Sequence, residues 1–159
     1  MSEPYEETIQ SETTLRLPLG VRHELICACL HTVIKASIAN FSGTKLLEPR
    51  SAIRVDANNL LRPDLAIATA ATGKVWLVAE VVSSEDHHAD TVEKKQIYEA
   101  MKLPRLWMID PRYNNVEIYH ASEYGMRLEH ILAGSDVLTE KLLPEFQIAI
   151  SDLFAIDHG

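Results

Sequence analysis

The stretch Val75-Trp76-Leu77-Val78-Ala79-Glu80-Val81-Val82 decides the fold. Its one ionisable side chain is Glu80, and the rest is apolar and rich in valine. A strand with one wet face alternates apolar and polar residues. A near-continuous apolar run of this length predicts a central strand covered on both faces. Upstream, Leu65-Ala66-Ile67-Ala68 follows Pro63-Asp64 and reads as a second strand, after which Thr72-Gly73 turns the chain. Ala52-Ile53-Arg54-Val55-Asp56 alternates as a half-buried strand does, before the turn residues Ala57-Asn58-Asn59. Earlier still, from about Pro18 to Ala39, Leu25, Ile26, Cys29, Leu30, Val33, Ile34 and Ile38 form a helical stripe. Downstream, a second helix runs from Asp90 or Thr91 to about Lys102, with Glu93 placed as in a capping box and Pro104 as its stop. Leu106-Trp107-Met108-Ile109 and Val116-Glu117-Ile118-Tyr119 flank the turn residues Asp110-Pro111 and Asn114-Asn115 as a hairpin. Arg127–Leu132 and Phe146–Ile150 read as further strands, and Asp152-Leu153-Phe154 as a terminal turn of helix. The order is that of an α/β domain with a mixed sheet.

Composition bounds the function. The 159 residues carry 15 Lys+Arg and 23 Asp+Glu, a net charge of −8, with 47% hydrophobic residues. This is one domain's worth of chain with material for a sizeable core. Residues 1–14 hold Glu3, Glu6, Glu7 and Glu12 and no base, and read as a solvated acidic arm; 15–159 reads as the single domain. No apolar run reaches the roughly 18 residues of a membrane span, and the acidic start is no signal peptide. The expected location is therefore cytoplasmic. Cys27 and Cys29, two apart on a helix, point away from each other and read as free thiols in a reducing compartment. Phosphate-binding P-loops, G-x-G-x-x-G, G-x-S-x-G and paired zinc cysteines are all missing from the sequence.

Three residues stand out chemically. An uncompensated Glu80 in a buried strand would cost several kcal/mol, so a cation, a basic partner or water at the strand end must compensate it. Asp64 opens the preceding strand. If the two strands are antiparallel neighbours, both carboxylates meet at one sheet edge, a hard-oxygen site of the kind Mg²⁺ or Mn²⁺ prefers. Otherwise Pro63-Asp64 is simply a strand-entry turn. Lys94, Ile97, Tyr98 and Met101 share the apolar face of the second helix, so Lys94 rather than Lys95 points at the sheet, while Lys95 and Glu99 can pair in water. Its alternative is a helix pair with Asp90. His87 and His88 lack a third zinc ligand at fitting spacing and read as an exposed loop beside the cleft, with a substrate or phosphate contact as the functional alternative. His23 and Glu24 read as a solvated first helical turn, and Trp76 and Trp107 as core.

Taken together, Pro63-Asp64, Glu80-Val81-Val82-Ser83, Asp90-x-x-x-Lys94-x-x-x-Tyr98, Leu106-Trp107-Met108-Ile109-Asp110-Pro111 and the closing Leu143-Pro144 … Asp152-Leu153-Phe154 resemble the Uma-two family of restriction endonuclease-like proteins, in the PD-(D/E)xK nuclease-like superfamily. The resemblance spans about residues 18–154. It implies a restriction-endonuclease-like α-β-β-β-α-β core with a mixed sheet and extra C-terminal strands. It also implies Mg²⁺-dependent (or Mn²⁺-dependent) hydrolysis of DNA phosphodiesters. Asp64, Glu80 and the Val81 carbonyl would hold the metal, with Asp64, Glu80 and Lys94 catalytic. Tyr98 would either support the metal-binding acids from behind or contact the phosphate of the substrate, His87 and His88 would contact substrate, and Glu24 would add a helix-borne carboxylate. The superfamily lysine usually sits two residues after the second acid, which is Val82 here; the resemblance takes it instead from the following helix, as Lys94. Many relatives read Ser-Pro-Ser after the glutamate strand, where this chain has Ser83-Ser84-Glu85 and then Asp86. A catalytically inactive nuclease-fold binding or regulatory protein is the alternative, as is a hydrolase of another phosphoester.

Charge is unevenly spread. Residues 1–14 carry −4, 113–159 carry −6, and 15–112, which hold the candidate residues, carry +2. That distribution weakens the objection an acidic chain raises to a nucleic-acid partner. With no dense basic stripe, the expected DNA affinity is modest and salt-sensitive unless a homodimer builds the groove.

Overall fold

A computed structural model describes residues 4–16, 20–82 and 89–155. In chain order the elements are β1 (Tyr5–Ile9), β2 (Glu12–Arg16), α1 (Val21–Ser37), β3 (Thr44–Leu46), β4 (Ile53–Asp56), β5 (Asn59–Leu61), β6 (Leu65–Thr69) and β7 (Val75–Val81). A π-helical turn, Ala89–Glu93, then leads into α2 (Lys94–Ala100), β8 (Arg105–Asp110), β9 (Asn115–Ser122), β10 (Gly125–Ala133), β11 (Val137–Glu140), β12 (Leu143–Ala149) and α3 (Ile150–Phe154).

The result is a mixed α/β structure with several sheets, composed mostly of strands. The main sheet has the order β10-β9-β8-β7-β6-β3. Strands β7 and β8 are parallel, joined across α2, and the other pairings are antiparallel. A second sheet runs β2-β1-β5-β4, and β11 pairs with β12.

Period-two alternation in β7 assigns each side chain to a layer. Leu77, Ala79 and Val81 face the cluster built on Ile26, Leu30 and Ile34 of α1, with Trp107 stacked on Phe146 at 5.6 Å. Val78 and Val82 face the opposite cluster, built on Ile97 and Tyr98 of α2 with Ile9 and Leu61. Glu80, between Val78 and Val82, therefore lies on the α2 side. The central-strand reading of Val75–Val82 holds, although Val75 and Trp76 at its start are only half-buried.

Two sequence expectations change. Residues 5–16 are not a solvated lead-in. They form a hairpin whose β1 joins β5 at Thr8↔Leu60, and Glu7 is fully buried. The turn residues Gln10 and Ser11 both adopt positive φ (52° and 68°), as a two-residue hairpin turn requires. The cost of that conformation without glycine is offset by Gln10 N–H donating to Asn59 Oδ1 at 2.7 Å and Ser11 N–H to the Asn58 carbonyl at 2.8 Å. In α1, the buried face runs through His23, Ile26, Cys27, Leu30, Ile34 and Ser37. Leu25 is exposed and Cys29 half-buried, so the stripe is rotated toward the sheet relative to the apolar count. His23, read as solvated, is buried because the sheet end offers it two acceptors.

Candidate active site

Strands β6 and β7 are antiparallel neighbours, with Leu65 opposite Ala79. Asp64 lies in the bend just before Leu65, at the end of β6 that adjoins the Glu80 end of β7. Asp64 Oδ2 accepts the Val81 N–H at 2.8 Å, which ties the aspartate to the residue after the glutamate. Both acids are buried, at 5% and 2% exposure.

Glu80 is compensated by α2. Lys94 Nζ donates to its Oε1 at 3.2 Å, and Tyr98 Oη to its Oε2 at 2.6 Å. These donors are one helical turn apart, so one face of α2 serves both carboxylate oxygens. Lys94 is 1% exposed, whereas Lys95 is half-buried and lies over the Tyr119 ring at 4.3 Å. Glu99, the expected partner of Lys95, accepts the Met126 N–H instead. Burial, then the Glu80 charge, pushes the Tyr98 phenol well above its ordinary range and keeps it a neutral donor.

Lys94 has another acidic partner that sequence reading assigned to solvent. Glu7 Oε1 lies 2.8 Å from Lys94 Nζ and accepts from Arg16 Nη1 at 2.6 Å, while Glu7 Oε2 accepts the Arg62 N–H at 2.8 Å. The hairpin thus carries a third buried carboxylate to the α2 side of the sheet.

On the α1 side, Asp64 meets a different set. His23 Nε2 lies 3.6 Å from Asp64 Oδ2 and donates to the Val81 carbonyl at 3.1 Å. Arg50 Nη2 lies 3.6 Å from Asp64 Oδ1 and donates to Glu24 Oε1 at 2.8 Å. His31 Nε2 donates to the Asp64 backbone carbonyl at 2.9 Å. Asp64 Oδ1 itself is buried with no hydrogen-bond partner among the described residues. Burial opposes ionisation of Asp64, but His23 and the Val81 N–H outweigh it and hold the carboxyl below its usual range. Burial likewise opposes the imidazolium of His23, yet Asp64 and the Val81 carbonyl raise its pKa above the ordinary value.

Two donor sets at this end of the sheet suit a cation. Asp64, Glu80 and the Val81 carbonyl are oxygen donors. His23, Cys27 and Asp64 are all buried, offer ligand atoms within 4.8 Å of one another, and could hold a metal ion. In that second set, His23 Nε2 donates to the Val81 carbonyl, which leaves Nδ1, 3.7 Å from Cys27 Sγ, as the ring nitrogen with a free lone pair. Burial, followed by the Asp64 charge, pushes the Cys27 thiol well above its ordinary pKa. Asp64 belongs to both sets, and its Oδ1, buried without a hydrogen-bond partner among the described residues though 3.6 Å from Arg50 Nη2, is an oxygen donor that would suit a cation.

The sequence model of the Uma2 family, described as "Putative restriction endonuclease", matches residues 5–151. The chain belongs to the Uma2 family. A solved structure described as a "putative nuclease belonging to DUF820", from Anabaena variabilis ATCC 29413, superposes with a TM-score of 0.79 at 17% identity, covering 97% of this chain and 92% of that one. That likeness is one of fold. No curated protein matches the chain. Within this Uma2 member the structure brings Asp64, Glu80, Lys94, Tyr98 and Val81 to one sheet end, with Glu24 beside Arg50. His87 and His88 lie outside the described residues. Among the described residues no helix is long and apolar enough to cross a membrane.

Proposed function

We propose that this Uma2 member is a metal-dependent endonuclease hydrolysing DNA phosphodiesters, with Asp64, Glu80 and Lys94 as its catalytic residues. The observation that supports the reading is the antiparallel pairing of β6 with β7, which brings Asp64, just before Leu65, to the same sheet end as Glu80, with Lys94 3.2 Å from Glu80. In chain order α1, the main-sheet strands β3, β6 and β7, α2 and β8 follow the α-β-β-β-α-β succession of a restriction-endonuclease-like core, with β4 and β5 diverted to the second sheet and β9–β12 as additions. Mg²⁺ or Mn²⁺ is the implied cation, and Asp64, Glu80 and the Val81 carbonyl would hold it. When bound, such an ion lowers the pKa of water and offsets phosphate charge. Lys94 supplies a fixed positive charge beside the acids, where negative charge develops on the phosphate. Tyr98 holds the second oxygen of Glu80 and so sets the orientation of its carboxylate. His87 and His88 are proposed substrate contacts, and a homodimer would let two such sites address both strands.

One observation favours a second reading, a nuclease-fold binding protein. Lys94 is held by two carboxylates and is almost wholly buried, as suits a structural ion pair. Cleavage separates the two. Duplex and single-stranded DNA and RNA are incubated with Mg²⁺ or Mn²⁺ and wild type, Asp64→Ala or Lys94→Ala. The nuclease reading expects DNA cleavage by wild type alone. Activity that survives both substitutions removes the proposed site, and an inactive wild type favours the binding protein.

A further inference from the structure

Arg50 is built into the site with an unusual set of constraints. It adopts φ 59°, a conformation that costs a non-glycine residue on the order of 1 kcal/mol or more and persists where the surroundings enforce it. Here its N–H donates to the Pro63 carbonyl at 3.0 Å and its carbonyl accepts from Arg62 Nη1 at 3.2 Å, locking it beside Asp64. Its guanidinium lies 5.0 Å from the centre of the Tyr5 ring and is anchored by Glu24. Arg50 Nε is buried with no hydrogen-bond partner among the described residues, and so is Asp64 Oδ1. Both residues line one cavity of about 130 Å³, with Glu24 and His31 on its α1 wall. That volume, a few waters' worth, is enough for a phosphate group.

Arg50 and Asp64 both line this cavity, and each carries a buried polar atom without a hydrogen-bond partner among the described residues, a combination that matches one ligand chemistry. A non-bridging oxygen of a phosphodiester would accept from the guanidinium, and a divalent cation held by Asp64 would offset the charge between phosphate and carboxylate. We propose that this cavity is the phosphate subsite of the nuclease reading, and that Arg50 binds a non-bridging oxygen of a backbone phosphodiester there. The inference rests on that reading for the identity of the substrate. It goes beyond it in assigning a residue and a cavity. Because Glu24 and Asp64 flank Arg50, an anion entering without a cation meets repulsion, so phosphate and divalent-ion binding are mutually reinforcing.

The test reads binding rather than turnover. The Arg50 Nε–H resonance is followed by ¹⁵N NMR as inorganic phosphate is titrated with and without Mg²⁺, and the dinucleotide d(TpT) is then added as competitor. The expected result is a phosphate-induced shift that needs Mg²⁺ and is displaced by d(TpT). Arg50→Lys keeps the charge and should weaken phosphate binding about tenfold; Arg50→Gln, which loses the charge, should weaken it up to about 100-fold. No shift at any Mg²⁺ concentration, or unchanged phosphate affinity in folded Arg50→Lys, overturns the subsite. Phosphate binding that d(TpT) cannot displace overturns the diester assignment. A shift with no DNA cleavage sinks the nuclease reading and leaves the anion subsite standing, whereas cleavage with Arg50 unmoved does the reverse.

Discussion

Glu7→Gln tests how far the N-terminal hairpin belongs to the site. The side chain is fully buried and takes Arg16 at 2.6 Å, Lys94 at 2.8 Å and the Arg62 N–H at 2.8 Å. Glutamine keeps the shape and an acceptor for Arg62, but it removes the negative charge between two buried cations and turns an NH₂ group toward them. Breaking a buried ion pair from one side costs about 3–5 kcal/mol. Since Lys94 keeps Glu80, the lower end applies, about 3 kcal/mol. For a chain of this size that is roughly a 6–12 °C fall in Tm. Urea and thermal unfolding followed by circular dichroism measure it, with exposed Glu6→Gln as the control expected within about 0.5 kcal/mol of wild type. Removing Lys94 as well, in Glu7→Gln/Lys94→Met, takes away one of the stranded cations. The double variant should then lose less than the sum of the singles, by about 1–3 kcal/mol. A Glu7→Gln loss below about 1 kcal/mol, with additive singles, refutes the claim that the hairpin is electrostatically part of the site.

Other outcomes follow from the same geometry. Tyr98→Phe removes a buried 2.6 Å hydrogen bond to a carboxylate and should cost about 1.5–3 kcal/mol in urea unfolding; a neutral substitution would mean that Glu80 does not need that donor. His23 has a folded pKa above its ordinary 6.5, so its contribution to stability is complete below 6.5 and fades as pH rises through the higher folded value. Asp64, held below 3.8, contributes above that pH and loses its contribution as pH falls through the lower folded value. Unfolding midpoints across this range should therefore decline on both sides, and His23→Gln should remove the alkaline decline; an unchanged alkaline limb would contradict the His23–Asp64 coupling.

The scaffold was legible because burial leaves a mark on residue pattern. Val75–Val82 declares a doubly covered strand, and the spacing of Lys94, Ile97 and Tyr98 declares which lysine faces the sheet. Placing Asp64 and Glu80 at one end of the sheet needed only one supposition, that β6 and β7 are antiparallel. The rest of the site is made by partners distant in sequence. Glu7 sits in an acidic segment whose two-residue turn, Gln10-Ser11, lacks the Asn-Gly or Asp-Gly signal of a hairpin, and its burial depends on Arg16, Lys94 and Arg62. His23 looks like a solvated helix start until the Val81 carbonyl is placed beside it. Arg50, between Pro49 and Ser51, has no local pattern at all; its partners Glu24 and Asp64 come from α1 and the start of β6. Long-range Coulomb partners do not show in local periodicity.

The central claim is that Asp64 and Glu80 converge on one site for a hard divalent cation. Calorimetric titration of Mg²⁺ and Mn²⁺ into wild type, Asp64→Ala and Glu80→Gln tests it most directly. The account predicts one binding event in wild type, lost in Asp64→Ala and weakened in Glu80→Gln. Equal binding by all three folded proteins would contradict it.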